Sequence, residues 1–193
     1  FFSACKRNGI IPIAGMELTT SEEIHLVLLF EELEGAMEFD REIQQKRNLI
    51  KLRPDIFGRQ LIYNSQDVQC GEEEFLLPNA TNISLDMAAE LAKEYGALCY
   101  PAHIDRQANG IVSILGVFPK TPSFKCVEYR EKSSRKPLEE RFEILRQKNV
   151  VVSSDAHYLW DINEAENFFD LEDEPYSGDL VRKNLFKALK GGE

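Results

Sequence analysis

Short, almost wholly apolar runs alternate with segments of helical period along the chain, and several of these runs end directly on a histidine or an aspartate. A strand buried on both faces is apolar at every position, whereas a strand with one wet face alternates. Residues 97–102 are of the buried kind and lead into His103; residues 150–154 lead into Asp155 in the same way. Between such runs, apolar residues recur at three- and four-residue spacing, as at Leu33, Ala36, Met37 and Ile43, or at Leu138, Phe142 and Leu145. This alternation predicts an α/β fold built on a parallel sheet covered by helices. An open sheet and a closed barrel produce the same pattern.

The remaining segments fit that frame. Residues 1–9 read as the tail of an amphipathic helix stopped by Gly9, so the sequence is expected to open inside an element. Strands are predicted at 10–18 and 24–30, a helix at 33–47, a short strand at 59–63, and a polar loop or small hairpin at 66–74. Ser84 is placed to N-cap a helix running to Tyr95, with Gly96 at the C′ position. Further helices are predicted at 109–117, 137–148 and 177–190, and strands at 124–129, 150–154 and 167–171. With 193 residues and 43% apolar content, residues 1–193 are read as a single domain able to bury a substantial core.

The formal net charge of −10 argues against affinity gained by blanketing nucleic-acid phosphates with cations. An anionic substrate then needs local positive charge, most simply a metal. Cys5, Cys70, Cys99 and Cys126 are far apart, without a CxxC pair, which suits a reducing cytoplasm. Asn79 and Asn82 each begin a glycosylation sequon, which is read as chance, and no apolar run has the roughly 20 residues of a membrane span.

Three histidines are present, His25, His103 and His157, and each adjoins an apolar strand pattern. In an extended segment Asp155 and His157 project to one face, so a carboxylate and an imidazole converge on one ion. That donor set suits zinc, manganese or iron. Glu17 and His25 lie four positions either side of Ser21; a hairpin centred there sets them opposite each other. A lone histidine at a strand end is more often structural than ligating, and Glu17 alone reads as a solvated carboxylate. Chance explains the joint placement of all three histidines poorly.

Gly15-Met16-Glu17-Leu18, Ile24-His25-Leu26-Val27, Pro101-Ala102-His103-Ile104-Asp105-Arg106 and Ser153-Ser154-Asp155-Ala156-His157 resemble, in order, successive motifs of the polymerase and histidinol phosphatase (PHP) family. The resemblance implies a distorted β/α barrel of about seven strands when complete, a cluster of up to three metal ions, and phosphoesterase chemistry. It implies Glu17 as a bridging carboxylate, with His25, His103, Asp155 and His157 as ligands. The family's HxH motif on the first strand and its later Asp-His motif have no counterpart here. The first strands are therefore expected to be missing from this stretch, leaving a partial site.

On this reading the protein is a metal-dependent phosphoesterase in which an ion activates the attacking water. Arg106 is the candidate for holding a substrate phosphate through its guanidinium fork, against the alternative of a salt bridge to Asp105 or another acid. Tyr158 is expected in the core, with substrate contact as the alternative, and Asp105 and Ser154 are expected to orient ligand histidines. Arg130, Lys132 and Arg135 read as a solvated rim. The expected substrate is a small phosphorylated metabolite or nucleotide, with nucleic acid disfavoured and membranes excluded as partners. A non-catalytic scaffold, a nuclease acting on polynucleotide ends and an amide-cleaving metal hydrolase are the rivals.

Overall fold

The computed structural model describes residues 1–192. The chain opens on α1 (Phe2–Arg7), after which Gly9 turns it at φ 69°. Strands β1 (Ala14–Thr19) and β2 (His25–Phe30) form a hairpin that Thr20 and Glu23 turn: Thr20 exchanges backbone hydrogen bonds with Ile24 and Glu23, and its hydroxyl also accepts the Ile24 N–H. Glu23 sits at φ 65°. Helix α2 (Leu33–Gln44) and the short α3 (Pro54–Phe57) precede a small hairpin of β3 (Leu61–Tyr63) and β4 (Gln69–Glu72). Helix α4 (Leu85–Glu94) starts at Ser84, whose hydroxyl accepts the Met87 N–H at 3.2 Å, and is followed by Gly96 at φ 68°.

Strand β5 (Leu98–Pro101) pairs antiparallel with β2, giving a three-stranded sheet in the order β1-β2-β5. Beyond the single turn of helix α5 (Ile111–Leu115), β6 (Cys126–Tyr129) runs parallel to β7 (Asn149–Val152). Helix α6 (Arg135–Arg141) connects them, and α7 (Gly178–Lys190), N-capped by Ser177, closes the described chain.

The predicted parallel sheet is thus mostly wrong: the principal sheet is antiparallel, and only β6 and β7 are parallel. The five residues between β1 and β2 permit a hairpin but are too few for a parallel crossover. Among the described residues the ladders form one three-stranded and two two-stranded sheets and do not close into a barrel. The predicted helix at 137–148 is broken at Phe142, at φ −130° and ψ 90°, into α6 and a 3₁₀ turn at Glu143–Gln147. The predicted strand at 167–171 does not form; Phe168 is 85% exposed, so its apolar character buries nothing that would hold a ladder in place.

The alternation on the hairpin sets the layers. Leu18, Leu26, Leu28 and Phe30 are buried on one face against Phe39 and Ile43 of α2 and Ala88 and Ala92 of α4. Each such large side chain contributes about 1.5–3 kcal/mol relative to exposure. On the other face, Leu98 and Tyr100 of β5 are buried with Phe186 and Leu189 of α7. That second cluster covers only part of its face, and the uncovered part carries Glu17 and His25.

Strands β1 and β2 approach so closely at Gly15 that an added Cβ lies 2.6 Å from the Leu28 carbonyl oxygen and 2.9 Å from the Leu29 side chain. Because the nearer atom is backbone, Gly15→Ala is predicted to lower stability by about 1–3 kcal/mol. Urea unfolding followed by circular dichroism measures this; an unchanged midpoint contradicts the close approach.

Candidate metal centre

The β1–β2 register pairs Glu17 with Val27 and Thr19 with His25. The hairpin is therefore centred on Glu22 rather than Ser21, and Glu17 and His25 are diagonal neighbours on one face instead of direct partners. Diagonal positions remain within reach of long side chains. His25 Nδ1 lies 3.1 Å from Glu17 Oε1. Strand β5 pairs beside β2 and delivers His103 to the same place: its Nε2 is 3.1 Å from His25 Nδ1 and 3.3 Å from Glu17 Oε1. The exposure of the three side chains is graded, 1% for His103, 19% for His25 and 41% for Glu17, so the cluster opens to solvent on the carboxylate side.

Two backbone features bring His103 in. It has φ 28°, a conformation that side-chain-bearing residues rarely adopt and that costs on the order of 1–3 kcal/mol. Its buried N–H donates to the Glu128 carboxylate at 3.1 Å, and the next residue, Ile104, donates to the Glu128 carbonyl at 2.8 Å. Glu128, on β6, was missed in the sequence. The available signal was an acid inside an otherwise apolar, buried strand, where an unpaired carboxylate is costly. Burial pushes the Glu128 carboxyl upward, against the opposing effect of hydrogen bonds from Ser153 and the His103 N–H.

The electrostatics of the cluster are mutual. Burial opposes the charge on Glu17, but hydrogen bonds to His103 and His25 and their positive charge overcome it and hold the carboxyl well below the usual range. Burial also opposes charge on His103, while Glu17 through hydrogen bond and charge, with Asp155 adding, raises the imidazole above its ordinary value.

Two imidazole nitrogens and one carboxylate oxygen fit a divalent ion in donor chemistry and in size. Donors about 2.05 Å from one ion lie roughly 2.9 Å apart in octahedral and 3.3 Å apart in tetrahedral geometry. The three edges here are 3.1, 3.1 and 3.3 Å. His103 Nδ1 is buried without a hydrogen-bond partner, so the ring is not held by a structural hydrogen bond on that side. These residues can hold an ion and leave part of its coordination open, as catalytic sites do.

Asp155 and His157 are not drawn into this triad. Strand β7 ends at Val152 and Asp155 turns the chain at φ 51°, so the two residues do not lie on an extended segment sharing a face. Asp155 forms a short salt bridge with Arg106, and its charge is felt at His103. His157 is 70% exposed, and its Nδ1 lies 2.8 Å from the Asp155 carbonyl, to which it donates, so that a metal would be met by Nε2. Arg106 is thus engaged with Asp155 rather than Asp105. The two oxygens of Asp105 accept the N–H groups of Arg130 and Glu131 at 2.8 and 2.9 Å, so it caps the end of β6 and does not orient a histidine.

Tyr158, expected in the core, is 61% exposed and stacks on Trp160 with ring centroids 4.9 Å apart and planes within 5°. The turn at Asp155 directs the following residues over the surface. Arg135 of the predicted basic rim pairs with Glu139, while Arg130, Lys132 and Ser154 line a recess of about 320 Å³. All four cysteines are free, and no helix among the described residues is long and apolar enough to cross a membrane.

No family model and no curated protein matches the chain. Among solved structures it is similar to PfuEndoQ, a lesion-specific endonuclease from Pyrococcus furiosus, with a TM-score of 0.58 and 17% sequence identity. The match covers 93% of this chain but 38% of that one. Likeness at this identity establishes a shared fold and nothing finer. It nevertheless overturns the reading of nucleic acid as a disfavoured partner, because the same fold occurs in an endonuclease. The net charge of −10 is a sum over the whole chain and does not describe the charge at the site.

A metal requires the His103 lone pair, and the raised imidazole holds its proton to higher pH than usual, so Mn²⁺ affinity falls as pH drops through that raised value. The metal-free protein has the opposite sign: the stability that protonated His103 contributes is full below about 6.5 and is lost as pH rises through the raised folded value. Calorimetric titration with Mn²⁺ and urea unfolding across pH 5.5–8.5 test both, and Glu17→Gln flattens both profiles. Separately, Glu128→Ala is expected to weaken Mn²⁺ binding by about 10–100-fold, as removal of a ligand's supporting partner does, with Glu128→Gln retaining most of the affinity.

Proposed function

We propose that this chain carries the hydrolytic site of a PHP-type metal-dependent phosphoesterase, with Glu17, His25 and His103 holding a divalent zinc, manganese or iron ion. The observation that carries this is the triangle of donor atoms with edges of 3.1, 3.1 and 3.3 Å, assembled from two strands and a strained strand-end residue. When bound, the ion supplies Lewis acidity at a phosphoryl oxygen and makes a water acidic near neutral pH. Asp155 and His157 are proposed as ligands of additional ions. The free Nε2 of His157 and the proximity of Asp155 to His103 support this.

The chain's own residues supply the rest. Glu17 stays ionised at working pH because the two histidines hold it so, and it can bridge two ions through its carboxylate oxygens. Glu128 fixes the His103 backbone, and with it the ring. Arg106 has five N–H donors; one bond goes to Asp155, and the remaining donors can take a phosphate oxygen. Closure of the strands into a distorted barrel and a cytoplasmic setting belong to the same reading; the four free cysteines support the latter.

The proposed substrate is a phosphodiester in a nucleic-acid strand, a reading supported by the fold shared with a lesion-specific endonuclease. A small phosphorylated molecule is the second reading, favoured by the net charge of −10. The test is hydrolysis of a single-stranded oligonucleotide and of p-nitrophenyl phosphate by Mn²⁺-loaded protein. Activity is expected to vanish on chelation, to return with metal, and to fall by roughly 100-fold or more in His103→Ala and Glu17→Gln. Full activity in either variant sinks the proposal, and the better-cleaved compound decides between the two substrates.

A further inference from the structure

Arg106 also lines an open cleft of about 590 Å³, a size that takes a nucleotide. Its polar lining is Arg106, Gln107, Ser113, Ser133, Ser134 and Arg141, together with Asp105. The composition is unusual for a chain with 33 acidic and 23 basic residues: two guanidiniums, three hydroxyls and an amide against one carboxylate. That carboxylate is already committed, since both oxygens of Asp105 accept backbone N–H groups.

Arg141 distinguishes this cleft from an ordinary polar groove. Its guanidinium rests over the Phe142 ring, 4.9 Å from the centroid, and it has no carboxylate partner among the described residues. Stacking on an aromatic ring orients a guanidinium without consuming its N–H donors. Arg106 links the cleft to the candidate site in the chain: it lies three residues beyond His103 and bonds Asp155, while lining the cleft itself. Residues with hydroxyl, amide and guanidinium donors line a space of nucleotide size whose one acid is already bonded to backbone N–H groups, a lining that suits the oxygens of a phosphate group.

We infer that the cleft between Arg106 and Arg141 is a phosphate seat, holding a phosphate of the substrate next to the one that is hydrolysed. The inference rests on the phosphoesterase reading and deepens it, because it makes the site one that engages two phosphates. A strand supplies the second phosphate as a neighbouring diester, whereas a small molecule supplies it as a terminal group. The chemistry recognised is the same in both cases.

The test is a titration of the metal-free chain, at two salt concentrations, with fluorescently labelled trithymidylate either phosphorylated (diester linkages and a 5′-phosphate) or uncharged (methylphosphonate linkages and no 5′-phosphate). The phosphorylated oligomer is expected to bind at least tenfold more tightly. Arg141→Gln is expected to remove that advantage and reduce the salt slope by about one, with Arg141→Lys recovering part of the affinity. Equal binding of the two oligomers, or wild-type binding by Arg141→Gln, overturns the seat. Unlabelled dinucleotide and inorganic phosphate serve as competitors: Arg141-dependent competition by the former supports a strand as the source, and by the latter alone supports a small phosphorylated molecule. Mn²⁺ affinity is measured alongside and should match wild type, since Arg141 is not among the triad residues, and circular dichroism confirms that the variant is folded. The titration needs neither metal nor turnover, so a failed hydrolase reading leaves its outcome intact.

Discussion

The N–H of His103 is buried and has lost its strand partner, because the chain leaves β5 at Pro101 and turns with φ 28°. An unmet donor there costs about 1–3 kcal/mol, on top of the strain of the turn. Glu128 meets it from the neighbouring strand, and the Glu128 carbonyl meets the next N–H as well. One residue of β6 thereby stitches the two sheets together at the point where His103 must face Glu17 and His25. The site depends on that stitch more than on any ladder hydrogen bond, since β5 and β6 have no ladder between them.

The hairpin contributes the other two donors by a different route. Position and face are fixed by the pleat, and the wet face carries Glu17 and His25 because the opposite face is filled by Leu18, Leu26 and Leu28. A one-residue slip would bury Glu17 and expose the leucines, so the hydrophobic pattern enforces the register that the site needs. Packing and chemistry are specified by the same alternation.

Much of this was legible in the sequence. The apolar runs marked β2, β5, β6 and β7, Ser84 and Gly96 bounded α4, and Glu17, His25 and His103, expected as ligands, lie together, while His157, expected with them, does not join the triad. Strand direction was not legible, because a fully apolar strand is compatible with either pairing, and the short β1–β2 connection was given too little weight. The arrangement after β7 was hidden for another reason: the extended-chain argument for Asp155 and His157 assumed the strand continued, and a positive φ at Asp155 is invisible in composition. Glu128 was overlooked because a single acid in an apolar strand looks like an interruption, when it is the acceptor for a neighbour that has left its ladder.

The stacked pair Tyr158 and Trp160 has an optical consequence. Trp160 is the single tryptophan of the chain, it is 80% exposed, and it lies three residues beyond His157. The emission of this protein therefore originates from the loop beside the candidate metal ligands and not from its core. An indole this exposed is expected to emit at the wavelength of one in water and to change little when the core melts, whereas quenching by paramagnetic ions or by a stacked base would register occupancy of the neighbouring site. The molecule carries its own local fluorophore, suited to following binding and poorly suited to following folding.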